Sequence, residues 1–227
     1  MNIEENQANL TIEKKLIYFF KKPSVLFSEF IEKPKYLWNM LIIIIVSIAY
    51  TIMKTTVSMD LIQKSVTDMF KKSSPNASPE IIQKAIDLQT SIPVQIGSVV
   101  ITTIFIIYIT ALIYMALTRL FGCKIRYKQL VSIYCLSYLP ITIGQVLKWI
   151  YMNITNKPLG VNSLINPSVL NAFLDVFDIF NIWQIVLLTI GISVVGKITK
   201  KRSFAIVIIL FLLSTIISLA LFAKNLK

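Results

Sequence analysis

The residues best placed to do chemistry lie in Arg119-Leu-Phe-Gly-Cys-Lys-Ile-Arg-Tyr-Lys-Gln-Leu130, where Arg119, Lys124, Arg126 and Lys128 come without a single acid. Cations at that density attract phosphate or carboxylate groups; they do not by themselves break bonds. A second acid-free group, Lys197, Lys200, Lys201 and Arg202, repeats the pattern further along. The chain has no histidine, which removes imidazole catalysis, imidazole metal ligation and an axial haem histidine together. It also lacks His-Glu-x-x-His, Gly-x-Ser-x-Gly and a P-loop, and no carboxylate falls within its long apolar segments. Neither an enzyme nor a proton relay is expected from such residues.

Other polar groups have bland readings. Asp175 and Asp178 fall three apart just before an apolar segment, where carboxylates commonly serve as helix-dipole partners, so no metal and no cofactor is expected. Cys123 and Cys135 read as free thiols. Gln145 and Lys148 share a helix face shortly after Pro140 and Gly144. A lysine in hydrocarbon costs about 2.5 to 3.5 kcal/mol, so Lys148 must snorkel outward or face a polar partner, and its place near the outer end favours snorkelling. Gln145 and Gln184 are expected to hydrogen-bond between helices. Gly191 and Gly196, with Ser193 between, suit close helix approach within the chain.

The elements that must position these residues are apolar segments of bilayer length. The chain has 227 residues, of which 56% are hydrophobic and 15% charged, and a mean hydropathy of +0.72. That is too apolar for a soluble domain. The expected fold is all-α: an integral membrane protein with five transmembrane helices plus amphipathic extramembrane helices. Spans are expected at about 36–53, 94–117, 130–151, 179–195 and 204–223. The net charge of +12 collects at the ends of these segments rather than along one polar face. It therefore reads as topology and lipid contact, with no nucleic acid partner. Richness in Ile, Lys and Asn points to an AT-rich bacterial genome.

Before the first span, residues 1–35 read as a cytoplasmic amphipathic tail with no cleavable signal peptide. Ile12, Leu16 and Phe20 recur at helical spacing among Lys14, Lys15, Lys21 and Lys22, which suits a helix in the headgroup region. Pro23 ends that helix and Pro34 ends a second. Residues 36–223 form a single five-span membrane domain, with an external helical hairpin at about 55–92 in which Ser78-Pro79-Glu80 starts the second arm. About fourteen basic residues fall on the tail and the two tight turns, against about nine on the opposite side. The amino terminus is accordingly expected in the cytoplasm and the carboxyl terminus outside, in a multi-pass cell-membrane protein.

The basic stretch also carries a resemblance. Arg119-Leu-Phe-Gly-x-Lys124, Tyr127-Lys-Gln-Leu130, Ser132-Ile-Tyr134 and Ser137-Tyr-Leu-Pro140 resemble the Yip family, the Ypt/Rab-interacting-protein type, in its bacterial branch. Phe177-Asp-Ile-Phe180, Ile182-Trp183, Leu187-Leu-x-Ile-Gly191 and the earlier Pro23-x-x-x-Phe27 are similar to further signatures of that family. The resemblance implies five spans with a cytoplasmic amino terminus. It also implies association with other membrane components, since similar eukaryotic proteins of the Golgi and endoplasmic reticulum bind prenylated small GTPases or partners of their own kind.

The expected function is non-catalytic: binding or organising membrane lipids and an unidentified membrane protein partner. The contact residues are expected to be Arg119, Lys124, Arg126, Lys128, Pro140 and Gln145. A small permease or channel subunit, using the polar stripe around Pro140, Gly144 and Gln145, is the alternative. The residues do not specify an oligomeric state.

Overall fold

The computed structural model describes residues 11–226; the first ten residues of the expected cytoplasmic tail lie outside the described residues. Among the described residues there are eleven helices and no strand. Five are long and apolar enough to cross a membrane: α3 (Leu37–Val57), α6 (Ile92–Leu120), α7 (Tyr127–Thr155), α10 (Ile179–Gly196) and α11 (Lys200–Leu226). The other six are α1 (Ile12–Lys21), α2 (Pro23–Glu32), α4 (Met59–Ser73), α5 (Pro79–Thr90), α8 (Asn162–Ile165) and α9 (Val169–Val176). The spans are thus where the apolar runs placed them.

Burial separates the five by role. In α7, 61% of the most apolar stretch is buried by protein, against 11% in each of α3, α6 and α11. Lipid is as apolar as leucine, so a helix surrounded by protein rather than lipid owes its place to side-chain complementarity and polar contacts. Such contacts fill α7, the least apolar of the spans, which continues through Pro140 without interruption.

The chain forms two compact units, each drawing residues from all five spans. One comprises residues 11–40, Ile106–Leu139 and Ile182–Leu213. Its core holds Phe27, Val131, Ile133, Leu187, Ile192, Ile206 and Val207, each almost wholly buried. Within it α1 and α2 form an arm. Phe27 enters the notch left by Gly191: a Cβ built there would lie 2.6 Å from Ile133 Cγ2 and 2.8 Å from Phe27 Cε1. Phe19 and Phe20 of α1 lie tilted against Trp183, with ring centroids 5.5 and 5.3 Å from it. The stripe of Ile12, Leu16 and Phe20 is nevertheless the open face of α1; only Phe19 is buried.

The other unit comprises Leu41–Phe105, Pro140–Asn181 and residues 214–226. Here α4 and α5 contact each other as a hairpin that buries Val66 and Ile86. Ser78 caps α5, accepting from the Ile81 amide at 3.4 Å. Gln95 closes its far end, donating to the carbonyls of Gln89 and Thr90 at 3.3 and 3.1 Å.

Candidate functional site

The stretch from Arg119 to Lys128 is a helix end, a turn and a helix start. Helix α6 ends at Leu120, and the chain turns at Gly122, whose φ of +72° suits glycine. The Gly122 and Cys123 amides return to the carbonyls of Arg119 and Thr118 at 3.0 and 2.8 Å. Helix α7 starts with half of a capping box: the Arg126 amide donates to Gln129 Oε1 at 2.9 Å, and the helical ladder begins with the Leu130 amide on the Arg126 carbonyl at 3.1 Å. The turn between them opens a cleft of about 480 Å³ lined by Arg119, Gly122, Lys124, Ile125 and Arg126. Three cations and no carboxylate line it.

The four expected cations are all exposed, but they are not equivalent. Arg126 Nη2 donates to the Ile31 carbonyl at 2.7 Å, and Gln129 Nε2 donates to the same oxygen at 2.8 Å. Together they latch the carboxyl end of α2, so Arg126 has a structural duty besides any ligand. Gln129 was only one letter of a motif in the sequence. Its spacing three residues after Arg126 was the available signal, because that is the capping-box interval. Tyr127 adds a further tie, donating to the Tyr108 carbonyl at 3.0 Å.

The second basic turn touches the first. A Cβ built on Gly196, the last residue of α10, would lie 2.5 Å from Cys123 Sγ and 3.0 Å from Ile125 Cδ1. Cys123 also points its thiol at the Gly196 carbonyl, 3.4 Å away. Burial pushes that thiol's pKa up. The absence of a side chain at Gly196 therefore lets the 119–128 and 197–202 turns meet. Nothing in either turn's own sequence announces this.

Pro140 and Gln145 lie in the other unit, and the polar stripe they belong to is filled. Pro140 is buried. Gln145 accepts a hydrogen bond from Ser47 Oγ at 3.1 Å, an interhelical bond of the kind expected. A Cβ at Gly144 would meet the Phe180 ring at 2.5 Å. Two expectations require correction. Lys148 does not snorkel: its Nζ lies 2.7 Å from Asp178 Oδ2, with 24% and 26% of the two side chains exposed. A half-buried ammonium gains more from a fixed carboxylate than from reaching for distant water. Gln184, expected to bond between helices, makes no hydrogen bond among the described residues.

The two aspartates are capping groups. Asp178 Oδ1 accepts from the Phe180 and Asn181 amides at 3.0 and 3.1 Å at the start of α10. Asp175 accepts from the Asn162 and Ser163 amides at 2.9 and 2.8 Å at the start of α8. Burial works to raise both carboxyl pKa values. Ser163 and Asn162 outweigh it for Asp175, and Lys148 and Asn181 outweigh it for Asp178, so both lie below the ordinary value.

Five membrane-length helices joined in part by cationic turns define a helical, multi-pass membrane protein. Comparison with known families makes this specific: residues 17–222 match the Yip1 domain, and the chain belongs to that family. Membrane protein YknW of Bacillus subtilis (strain 168) is 28% identical over 224 residues, covering 96% of this chain and 94% of the relative. No solved structure matches the chain.

Proposed function

We propose that the protein works without catalysis, binding and organising other membrane components through its cationic turns, with the amino terminus in the cytoplasm and the carboxyl terminus outside. The carrying observation is the acid-free cleft of Arg119, Lys124 and Arg126 at the junction of two membrane-length helices. Cations there attract anionic lipid headgroups or an acidic membrane protein partner, each worth about 1 kcal/mol near a charged surface. The charge bias of the tight turns supports the orientation. A permease reading is not favoured, because the Phe180 ring and the Ser47 bond occupy the stripe it would use.

Partner recovery tests the binding. Arg119, Lys124 and Lys128 are the residues to neutralise, since Arg126 also holds α2. In crosslinking from native membranes, the triple glutamine variant is expected to recover at least five-fold less partner protein. Unchanged recovery would remove the cationic turn as the operative surface.

Orientation needs a reporter other than Cys123, which is only 2% exposed. Lys124→Cys on a Cys123→Ser background offers an exposed thiol next door. An impermeant maleimide is expected to label it only after the cells are permeabilised. Labelling in intact cells would reverse the orientation.

A further inference from the structure

The open face of α1 makes sense from what the helix rests on. Three contacts carry the α1–α2 arm along α10, away from its end at Gly196 beside Cys123. Ile31 is held beside the start of α7, its carbonyl accepting from Arg126 and Gln129. Phe27 fills the notch at Gly191, five residues back from Gly196. Phe19 and Phe20 meet Trp183, thirteen residues back, which is about 20 Å along a helix rising 1.5 Å per residue. The hydrocarbon core of a bilayer is about 30 Å thick. A helix that stayed in water could not touch a ring so far along a membrane span.

The surface of α1 fits such a place. Ile12, Leu16, Ile17 and Phe20 are each more than half exposed. Ile182 and Val186, neighbours of Trp183 on α10, are exposed as well. Apolar surface therefore runs from the span onto α1 through the Phe20–Trp183 contact. Lys14 and Lys21 fall on the side of α1 opposite Ile12, Leu16 and Phe20. Charge in hydrocarbon is costly, but a lysine stem can carry its ammonium back to the headgroups.

We infer that α1 lies inside the bilayer leaflet adjacent to the basic turns, its open face covered by lipid acyl chains and Trp183 its seat. The span thereby sets the depth of a helix that headgroup attraction alone would leave at the surface. Acyl chains are the occupant because the same apolar surface continues along a membrane span, whose surrounding medium is lipid. This goes beyond the function proposed above and holds whatever the cationic cleft binds.

The test places a nitroxide spin label at Leu16→Cys in the full-length protein in phosphatidylcholine nanodiscs. Oxygen concentrates among acyl chains and a nickel chelate stays in water, so their collision rates with the label report its surroundings. Cys123 and Cys135 are buried, and wild type treated alike checks that they take up no label. Oxygen is expected to exceed the chelate at least two-fold, as at Ile101→Cys on the exposed face of α6. Lys72→Cys, exposed on α4, is expected to show the reverse. Trp183→Leu, which keeps an apolar side chain but removes the ring, is expected to raise chelate access at Leu16→Cys at least two-fold.

A label more open to the chelate than to oxygen would put the face in water and overturn the inference. Access to neither would bury it against protein, a second copy if Leu16→Cys chains crosslink, and overturn it equally. Unchanged access in the Trp183→Leu variant would remove the seat.

Discussion

Replacing Asp178 by alanine is expected to destabilise the protein by about 2 to 4 kcal/mol, because one carboxylate holds two structures together. Its Oδ2 pairs with Lys148 at 2.7 Å, and its Oδ1 caps α10 through two backbone amides. Loss of an aspartate cap costs about 1 kcal/mol. The larger part comes from stranding a half-buried ammonium, since breaking a buried pair costs more than never having made it. Lys148→Leu on the Asp178→Ala background is therefore expected to recover a substantial part, and denaturant unfolding in mild detergent gives the cycle. A recovery of zero would mean that the cap alone matters.

Acidification probes the same pair. The carboxyl pKa of Asp178 is lower folded than unfolded, so its contribution is complete above the unfolded value, about 3.9. It is lost as pH falls through the lower, folded value. The wild type should lose stability below about pH 4, and Asp178→Asn should show a smaller loss over that range.

Gly191→Ala is the second large effect, about 1 to 3 kcal/mol of destabilisation. The new methyl would sit 2.6 Å from Ile133 and 2.8 Å from the Phe27 ring. Neither neighbour has room to turn aside: Ile133 is 1% exposed and Phe27 is 0% exposed. The strain falls on the seat of α2, so the α1–α2 arm is expected to loosen. Faster trypsin cleavage after Lys15 and Lys21 in α1 reports this directly.

Gly97→Ala is the control. Nothing lies within 4 Å of its added methyl, and alanine in a helix gains about 0.5 to 1 kcal/mol over glycine. Equal destabilisation by the two substitutions would show that close approach at Gly191 is not the cause.

Much of the fold was legible in the residues themselves. Span number and placement depend on runs of about twenty apolar residues, a local property that hydrocarbon thickness reads directly. Caps such as Ser78 before Pro79 are equally local. The cationic stretch was visible for the same reason, as a tight cluster between two apolar runs. Its division of labour was not, because Arg126 serves a carbonyl 95 residues earlier in the chain.

What the sequence determined by itself was the membrane class, the five spans and the absence of histidine and catalytic signatures, since each follows from composition or short-range spacing. Only the tertiary structure decided that Lys148 meets Asp178 across 30 residues and that Cys123 meets Gly196 across 73. It also decided that α7 is the span most enclosed by protein. Hydropathy records how strongly a residue avoids water. It does not record which distant side chain fills the space beside a glycine, and in this protein such spaces bring the two basic turns together.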